Sequence, residues 1–324
     1  MSTRPERKVY ISWINHHGRS QSIADRLKIT AVFVNPTRKL VPIRYLCSTF
    51  VTFRVLRNSK ANTVFLMLPP FPALIAVRIY SFFRPLLIIA DLHTGVFLNP
   101  KWKWALPLTL KMIGRRNLAL VTNSTLKKMC TDSDIEAVVL HDIMPEESTV
   151  RDQKERLKFV VAVPLSYAND EPIDEILAAA EATPDLEWHL TGTAPAAVLR
   201  KASKNVRFTG YLTNADYLSL VSSASVVLAL TTREHTMQRA AYEALANRTP
   251  LVTSKFPELQ EYFEDSAIYV EANATEIAAG VSKAIDRSRL LQTRMQKVQQ
   301  SRKSDEQRSI DELTCKVMNR LERW

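Results

Sequence analysis

Glycine is scarce in this sequence, with six residues in a chain of 324. None of them forms the G-x-G-x-x-G motif of dinucleotide-binding domains or the G-x-x-x-x-G-K-[ST] motif of P-loop proteins. Both motifs need closely spaced glycines so that the backbone can approach phosphate groups. The sequence therefore argues against an NAD-dependent dehydrogenase and a P-loop NTPase, and any bound diphosphate must be held in another way.

Cysteine is also scarce, and its three residues, Cys47, Cys130 and Cys315, are scattered along the chain. Their number is odd, and their spacing matches neither a disulfide framework nor a metal site. Such usage is typical of a reducing compartment. Because the N-terminus also shows no apolar signal-peptide segment, we expect a cytoplasmic protein.

Acidic residues are nearly absent from the first 130 positions, where 21 Lys and Arg face Glu6, Asp25 and Asp91, a net charge of +18. Residues 131–324 carry 23 basic and 30 acidic residues, a net charge of −7. A basic surface concentrates anionic partners such as nucleic acid, anionic lipid or a phosphorylated substrate. Solubility alone does not require this asymmetry, so we expect the first half to meet such a partner.

The most informative stretch of the chain is 224–254. An apolar, β-branched run at 224–230 predicts a buried strand, and a polar loop follows it. From Met237 onward the apolar residues recur at helical spacing, until Pro250 ends the helix. Residues 251–253 predict the next strand, so the stretch has the order that is typical of a parallel α/β unit.

The start of this predicted helix carries candidate binding residues. Thr236 is the predicted N-cap, which would leave free backbone N–H groups where an anion can bind. Arg239 and Glu243 lie one turn apart on one face. A guanidinium beside free amides suits a diphosphate, and the carboxylate suits sugar hydroxyls. The alternative is an ordinary surface ion pair, because i,i+4 pairs are common on helices.

This segment resembles the donor-binding segment of GT-B glycosyltransferases of the retaining family-4 type. That family carries two glutamates eight positions apart, the second followed by small residues and later by a proline and two apolar residues. Glu243, Ala244-Leu245-Ala246 and Thr249-Pro250-Leu251-Val252 match the second half. The first half differs, because His235 stands eight positions before Glu243.

The resemblance also implies how a donor is held. Glu243 would bind the ribose, and Arg239 with the amides near Thr236 would bind the diphosphate. His235 and, from the other domain, His93 would contact the transferred sugar. The remaining donor-pocket residues would be Met237, Gly192, Tyr211, Glu258 and Glu261.

The implied fold is α/β of the GT-B type, with two facing Rossmann-like domains, parallel sheets and an interdomain cleft. We expect a basic acceptor domain at 1–145 and a nucleotide-sugar donor domain at 156–305. A C-terminal helix at 306–324 can pack back on the first domain. The polar, charged segment 141–155 is the predicted linker between the domains.

The loop after the first predicted strand is a candidate part of the interdomain site, because carboxyl ends of parallel strands form the binding edge of a sheet. In it, Gly18 permits close backbone approach, Arg19 offers charge, and Ser20 is the predicted helix cap. The adjacent His16 and His17 invite a metal site. They lack a third ligand at a recognised spacing, so we predict none.

Asp91 and His93 follow the fourth predicted strand and lie two residues apart, a placement that suits acid–base chemistry. They are candidate catalytic residues together with His235; the alternative for His93 is an ordinary loop histidine. We expect no cofactor beside the nucleotide-diphospho-sugar, which is a substrate. No metal is required if cationic side chains neutralise the diphosphate.

Two stretches of the basic half are amphipathic. Residues 71–83 are too short and too interrupted to span a bilayer, so they form either a core helix or a lipid-facing one with Arg78 and Arg84 at headgroup level. Residues 101–104 alternate Lys with Trp as an interfacial anchor does, unless the Trp side chains pack on the sheet. We expect an anionic membrane surface as a partner, on the inner face of the cell membrane. Nucleic acid is not expected, since no RNA-recognition or helix-turn-helix signature is present.

The predicted function is transfer of a sugar from a nucleotide-diphospho-sugar to a glycan or lipid-linked acceptor in cell-surface polysaccharide or glycolipid synthesis. Retention of configuration is implied by the resemblance. One alternative is a nucleotide-sugar epimerase of the same layout, which would turn over the donor without an acceptor. The other is a non-enzymatic nucleic-acid- or membrane-binding protein, which leaves residues 231–254 unexplained.

Overall fold

The computed structural model describes residues 7–37, 40–145 and 159–322. It divides into two compact units, of which unit 1 contains Met1–Ile143 and Asp305–Trp324 and unit 2 contains Met144–Ser304. The predicted linker at 141–155 falls largely on residues 146–155, which lie outside the described residues.

Six strands of unit 1 form one parallel sheet. They are β1 (Lys8–Ser12), β2 (Thr30–Phe33), β3 (Thr63–Leu68), β4 (Leu87–Leu92), β5 (Leu118–Val121) and β6 (Ala137–Val139). The order across the sheet is β2-β1-β3-β4-β5-β6. Strands β3, β4 and β5 are buried along their whole length, as expected for parallel strands that are covered on both faces.

Helices cover both faces of this sheet. They are α1 (Gly18–Arg26), α2 (Val41–Ser59), α3 (Phe71–Phe83), α4 (Thr94–Leu98), α5 (Pro100–Lys103), α6 (Leu106–Ile113) and α7 (Ser124–Thr131). The sequence predicts one continuous helix from residue 101 to residue 113, but the structure starts a new helix at Leu106. Pro107 explains the break, because proline has no N–H to donate and is accommodated in the first turn of a helix.

The core of unit 1 has one layer on each face of the sheet. On one face, α2, α3 and α6 contribute Leu56, Leu74 and Ile113. On the other face, Tyr10 and Phe65 pack with residues of α1. Because successive side chains of a strand point to opposite faces, each strand contributes side chains to both core layers.

The C-terminal end of the chain completes the second layer of unit 1. Helix α14 (Ser288–Leu321) buries three side chains there at spacings of three and four, namely Ile310, Leu313 and Val317. Lys316 on the same helix forms an ion pair with Glu136, and its hydrogen bond lowers the pKa of that carboxyl. The end of α14 is therefore an integral part of unit 1.

Unit 2 repeats the architecture with a second six-stranded parallel sheet. Its strands are β7 (Val160–Val163), β8 (Glu187–Thr191), β9 (Val206–Gly210), β10 (Val226–Ala229), β11 (Leu251–Ser254) and β12 (Ala267–Val270). Its helices before α14 are α8 (Ile173–Glu181), α9 (Ala196–Leu199), α10 (Asn214–Ser223), α11 (Arg239–Ala246), α12 (Pro257–Phe263) and α13 (Ala274–Asp286). The order of the strands is β12-β11-β10-β7-β8-β9.

The core of unit 2 also has two layers, and Trp188 on β8 is its largest fully buried side chain. The indole N–H of Trp188 donates to the Thr183 hydroxyl at 3.0 Å. The polar end of this large side chain is thereby satisfied inside the core, as buried polar groups require.

The strand orders place a topological switch point in each sheet. In unit 1, β1 lies between β2 and β3. In unit 2, β7 lies between β8 and β10. Where neighbouring strands lead away in opposite directions, their carboxyl-end loops open a crevice that binds ligands. Ligand-binding sites are therefore expected at these two crevices.

Candidate functional site

Two loops meet at the switch point of unit 2, namely those after β7 and β10. The Thr231 hydroxyl donates to the Asp170 carboxylate at 2.9 Å, and the Arg233 guanidinium donates to the Asn169 side chain at 2.9 Å. The Gln238 amide donates to the Leu230 carbonyl at 2.6 Å, which folds the second loop back on its own strand. The position of these loops is thus fixed by side-chain hydrogen bonds.

These contacts move the start of the helix from its predicted position. Helix α11 begins at Arg239, with Gln238 as the extended residue before it, so Thr236 is not the N-cap. The Thr236 hydroxyl instead donates to the Glu234 carbonyl at 3.3 Å. Met237 lies in the loop but packs against the same core as the helix. Its position in the sequence therefore extends the apolar pattern of the helix by chance of packing, not by helical structure.

A cavity of about 620 Å³ opens beside the first turn of α11. Its wall includes Gln238, Arg239 and Ala240 from that turn, Gly192 and Tyr211 from the loops after β8 and β9, and Ser166 and Glu171 from the loop after β7. The first N–H groups of a helix have no partner within the helix, and its N-terminus attracts anions. The cavity therefore joins an anion-binding helix end to three loop segments.

Arg239 and Glu243 form one hydrogen-bonded group with Tyr217. The buried Glu243 carboxylate accepts from Arg239 Nε at 3.0 Å and from the Tyr217 hydroxyl at 2.5 Å. The Arg239 side chain is 40% exposed, and its buried Nη1 has no hydrogen-bond partner among the described residues. A buried donor that lacks a partner is costly, so Nη1 is suited to bind an acceptor atom of a ligand.

Tyr217 lines the cavity and is held in its neutral form. Burial, followed by the Glu243 charge, raises the pKa of Tyr217 well above its ordinary value. The hydroxyl therefore stays a hydrogen-bond donor to Glu243 at any physiological pH. The sequence gives no motif for Tyr217, which lies 26 positions before Glu243.

Two glycines shape the rim of the cavity. Gly192 has a φ of +81°, and a Cβ there would lie 2.3 Å from the Leu165 carbonyl oxygen, so no other residue fits without a shift. Its N–H donates to the Gly210 carbonyl at 2.9 Å. Next to Gly210, Tyr211 is 92% exposed while lining the cavity, and so offers an open aromatic face.

His235 contacts Glu258 at the start of α12. A short hydrogen bond joins His235 Nδ1 to one oxygen of the buried Glu258 carboxylate. The other oxygen is buried and has no hydrogen-bond partner among the described residues. Glu261, one turn later, is exposed, and its backbone carbonyl accepts from Arg302. The structure thus groups His235 with Glu258 and leaves Glu261 apart from them.

The candidate residues of unit 1 surround one buried carboxylate. Asp91 accepts from the Tyr10 hydroxyl at 2.5 Å, from Arg19 Nη2 at 3.0 Å, and pairs with His93 Nε2 at 3.2 Å. Arg19 is 2% exposed and also donates to Asp142 at 3.0 Å. Because its guanidinium forms hydrogen bonds with two carboxylates, Arg19 stabilises the loop after β1 from the protein interior.

Asp91 lies inside β4 although the sequence predicts that this strand ends before it. Burial is the largest single influence and would raise the pKa of the Asp91 carboxyl, but the charges of Arg19 and His93 and their hydrogen bonds together outweigh it and hold that pKa well below its ordinary value. The strand can continue through a charged residue because that charge is paired and hydrogen-bonded. Asp91 thereby fixes the position of His93.

His17 is the N-cap of α1, whereas the sequence predicts Ser20 for this role. His17 Nδ1 accepts from the Ser20 backbone N–H at 3.4 Å, and Gly18 is the first helical residue. The rings of His17 and His93 meet edge to face at 4.6 Å. Burial, followed by repulsion from His93, lowers the pKa of His17 to about 4, so it is neutral at pH 7 and can accept as a cap.

A second cavity of about 480 Å³ lies at the switch point of unit 1. Its wall is aromatic and polar, with Trp13, Tyr45 and Trp102 beside Arg44 and Asn15. Trp102 packs partly against the core, as one reading of the Lys-Trp stretch predicts. Trp104 is 69% exposed, as the other reading predicts.

Two further findings bear on ligands and membranes. Within the described ranges, no group of three or more His, Cys, Asp or Glu side chains is placed to hold a metal ion. No helix in the described part of the chain combines the length and the apolar character needed to span a membrane.

Comparisons with known proteins match these observations. Residues 166–287 match the family described as Glycosyl transferases group 1. This segment contains the cavity-lining residues after Pro164 and Leu165, including Arg239, Tyr217 and Gly192. A comparison with curated proteins finds no match.

Solved structures share the fold over nearly the whole chain. Alr3699/HepE of Anabaena, in complex with UDP and glucose, aligns with a TM-score of 0.70 at 13% identity, over 96% of this chain and 100% of its own. Sucrose-phosphate synthase of Thermosynechococcus elongatus aligns at 0.69 and 12% identity, over 91% and 95%. A Listeria monocytogenes protein described as a UDP-N-acetylglucosamine 2-epimerase aligns at 0.59 and 11% identity, over 90% and 91%. The predicted fold class, α/β of the GT-B type with two parallel-sheet units, is confirmed.

Proposed function

We propose that this protein is a glycosyltransferase that takes a sugar from a nucleotide-diphospho-sugar. The observation that carries the proposal is the cavity of unit 2, where Arg239 presents a buried donor atom without a partner beside a helix N-terminus. Departure of a nucleoside diphosphate builds negative charge, and fixed donors aimed at that charge lower the barrier. The match of residues 166–287 to a glycosyltransferase family supports the same conclusion.

The other walls of the cavity suit the remaining parts of a nucleotide. The open face of Tyr211 can stack on a base, and Gly192 lets the backbone approach the ligand closely. Glu243 holds Arg239 and Tyr217 in place, and a ribose hydroxyl would share its carboxylate. Glu243 is thus proposed both to position Arg239 and to bind the donor.

His235 and His93 are both proposed as sugar-binding residues, each from its surroundings within its own unit. One oxygen of the Glu258 carboxylate is hydrogen-bonded to His235, and the other can accept a hydrogen bond from a sugar hydroxyl. His93 is oriented by Asp91, which acts as a positioning residue because it is fully buried. Retention of configuration stays a prediction from the family resemblance.

The diphosphate is proposed to be neutralised by Arg239 and the α11 amides without a metal ion. The guanidinium is permanently charged and forms strong bonds to phosphate oxygens. Activity that survives a chelator such as EDTA would agree with this proposal. Loss of activity that added magnesium or manganese restores would contradict it.

The acceptor is proposed to be a glycan or a lipid-linked glycan, used at the inner face of the cell membrane in cell-surface polysaccharide or glycolipid synthesis. The aromatic cavity of unit 1 supports a carbohydrate, because aromatic faces pack well on sugar rings and Arg44 can bind a phosphate. The net charge of +18 in the first 130 residues supports an anionic surface nearby.

A nucleotide-sugar epimerase is the second candidate, because the fold is also that of the Listeria protein described as an epimerase. Each candidate donor can be incubated with the protein and no acceptor. A change in the configuration of the sugar would favour an epimerase, whereas a transferase would give only slow release of free sugar.

The proposed function is tested by a thermal-shift panel of UDP-, GDP-, ADP- and TDP-sugars, because a ligand that binds the folded state raises Tm. Calorimetry with the preferred nucleotide then compares Arg239→Gln and Glu243→Gln with the wild type. Loss of a charged hydrogen bond is worth about 1.5–3 kcal/mol, or roughly 10- to 150-fold in Kd.

The matched control is Arg207→Gln, which removes an exposed arginine of unit 2 outside the cavity. It should leave Kd unchanged. If no nucleotide raises Tm, or if Arg239→Gln binds as tightly as the control, the cavity is not a donor site.

A further inference from the structure

The outer faces of α2 and α3 in unit 1 are apolar although they are exposed. On α2 the exposed residues Ile43, Leu46 and Phe50 recur at helical spacing, and Phe50 is 73% exposed. The inner face of the same helix is buried in the core through Leu56. The apolar stripe of α2 therefore points away from the sheet.

Helix α3 carries a second stripe of the same kind. Ile75, Ile79, Phe82 and Phe83 lie on one side of it, and the two phenylalanines are 86% and 79% exposed. The helices are neighbours, since the rings of Phe53 and Tyr80 meet at 5.6 Å. Together the stripes place seven exposed apolar side chains on two neighbouring helices, and large exposed apolar patches mark interaction sites.

The segment that carries both stripes is basic. Residues 40–116 contain eleven Lys and Arg and one acidic residue, Asp91, which is fully buried. The segment that carries both stripes therefore shows basic side chains and no acidic side chain to solvent. Apolar area beside an excess of positive charge is the composition of a surface that binds anionic bilayers.

A cavity of about 830 Å³ gives this charge a defined place at the end of α3. It is lined by Phe82 and Phe83 and by five arginines, which are Arg78, Arg84, Arg115, Arg116 and Arg320. Arg115 pairs with Asp134 and Arg320 pairs with Glu136. The other three arginines have no ion-pair partner among the described residues.

We propose that this face of unit 1 docks on the anionic surface of a bilayer, with Phe82 and Phe83 in the acyl boundary and Arg78, Arg84 and Arg116 on lipid phosphates. The phenylalanine rings are wholly apolar and suit the acyl boundary, and arginine suits the surface above it because its stem is apolar and its guanidinium stays in water. Nucleic acid fits less well, since aliphatic Ile75 and Ile79 gain nothing from bases or phosphates. The inference deepens the proposed function, on which it rests for its purpose, because a lipid-linked acceptor is presented at such a surface.

The test is co-sedimentation of the full-length protein with vesicles of phosphatidylcholine alone or mixed with phosphatidylglycerol, at low and high salt. We expect binding to the anionic vesicles that weakens with salt, because charge is screened. Phe82→Ser/Phe83→Ser should weaken binding about tenfold or more through lost apolar burial. Arg78→Gln/Arg84→Gln/Arg116→Gln should weaken it about 100-fold, because each basic residue near the membrane contributes.

Matched controls remove the same groups from unit 2. Leu199→Ser/Leu290→Ser removes two exposed apolar side chains, and Arg200→Gln/Lys204→Gln/Lys297→Gln removes three exposed charges. Both should bind vesicles as the wild type does. Circular dichroism and an unchanged Tm confirm that every variant is folded, and calorimetry with the nucleotide checks separately that the donor cavity of unit 2 is intact.

Several outcomes would overturn the proposal. They are equal binding to neutral and anionic vesicles, no binding to either, and equal loss in the control variants. Tight binding of RNA or duplex DNA, or of inorganic phosphate, with no binding of vesicles would also reject it. Because vesicle binding is measured without a nucleotide, its failure would leave the donor site untouched, and a failed donor site would leave vesicle binding measurable.

Discussion

Each unit contains a trio in which a buried carboxylate accepts hydrogen bonds from a tyrosine and an arginine, but the two trios differ in their surroundings. In unit 1, Asp91 accepts from the Tyr10 hydroxyl at 2.5 Å and from Arg19. In unit 2, Glu243 accepts from the Tyr217 hydroxyl at 2.5 Å and from Arg239. The trio alone therefore does not distinguish a structural group from a binding group.

The difference lies in what else the arginine meets. Arg19 is 2% exposed, and its Nη1 donates to a second carboxylate, that of Asp142. Arg239 is 40% exposed, meets a single carboxylate, and lines a cavity with an Nη1 atom that has no partner in the described residues. We call the Asp91 trio closed, because its arginine is buried between two carboxylates, and the Glu243 trio open, because its arginine faces a cavity. A closed trio stabilises the fold, and an open one can bind a ligand.

The largest expected effect is on stability when the closed trio is broken. Asp91→Asn leaves Arg19 and Tyr10 with an uncharged partner in the core, and breaking a buried ion pair costs about 3–5 kcal/mol. Urea unfolding followed by circular dichroism measures the loss. Glu243→Gln should lose much less, because water can reach its arginine. Equal losses in the two variants would contradict the distinction between closed and open trios.

The next effect is a pH dependence that belongs to unit 1. The pKa of His17 is about 4 in the folded protein, below the ordinary 6.5. As pH falls, the unfolded state takes up the proton first, so stability is full above pH 6.5 and is lost as pH falls toward 4. Allowing for the partial exposure of this side chain, the loss is about 2 kcal/mol.

His17→Asn is the variant that isolates this effect, because asparagine is also a good N-cap but does not titrate. Urea unfolding at pH 4, 5, 6 and 7 should give a smaller slope for the variant than for the wild type. Asp91, Asp142, Arg19 and His93 all face His17 and stay in both proteins, so their contributions cancel. The same slope in both proteins would assign the pH dependence to other groups.

The smallest expected effect separates the two tyrosines. Tyr10→Phe removes a hydrogen bond to the buried Asp91, and Tyr217→Phe removes the equivalent bond to Glu243, each worth about 1 kcal/mol or somewhat more. Tyr10→Phe should lower stability and leave nucleotide affinity unchanged. Tyr217→Phe should weaken nucleotide binding more than it lowers stability. The reverse pattern would place the ligand-binding trio in unit 1.

Much of the fold is predictable from the sequence because buried parallel strands are continuous apolar runs. Strand β10 lies inside the apolar run predicted at 224–230, which ends at the polar Thr231, and β11 covers the strand predicted at 251–253. Helix starts are harder. The start of α11 depends on the bond from Gln238 to Leu230, and side-chain bonds of this kind leave no periodic pattern.

The candidate site is only partly predictable, for a related reason. Arg239 and Glu243 are one turn apart, so their pairing can be read from their spacing. Tyr217 is 26 positions from Glu243, and Arg19 is 72 positions from Asp91, so only the folded chain brings them together. Gly192, Tyr211 and Arg239 line the cavity as the family resemblance implies, whereas for Ser166 and Glu171 the available signal is their position in a loop after a strand's carboxyl end.

The buried Trp188 has a practical consequence for spectroscopy. Residues 144–304 contain no other tryptophan, whereas the remaining four, Trp13, Trp102, Trp104 and Trp324, belong to unit 1. Because its indole sits in a dry core with a hydrogen-bonded N–H, Trp188 should emit at short wavelength and shift to the red when unit 2 unfolds. The difference between the emission spectra of the wild type and Trp188→Phe is then the signal of unit 2 alone. The variant's own spectrum follows the tryptophans of unit 1, including exposed Trp104, whose ring meets that of Phe71 at the start of α3.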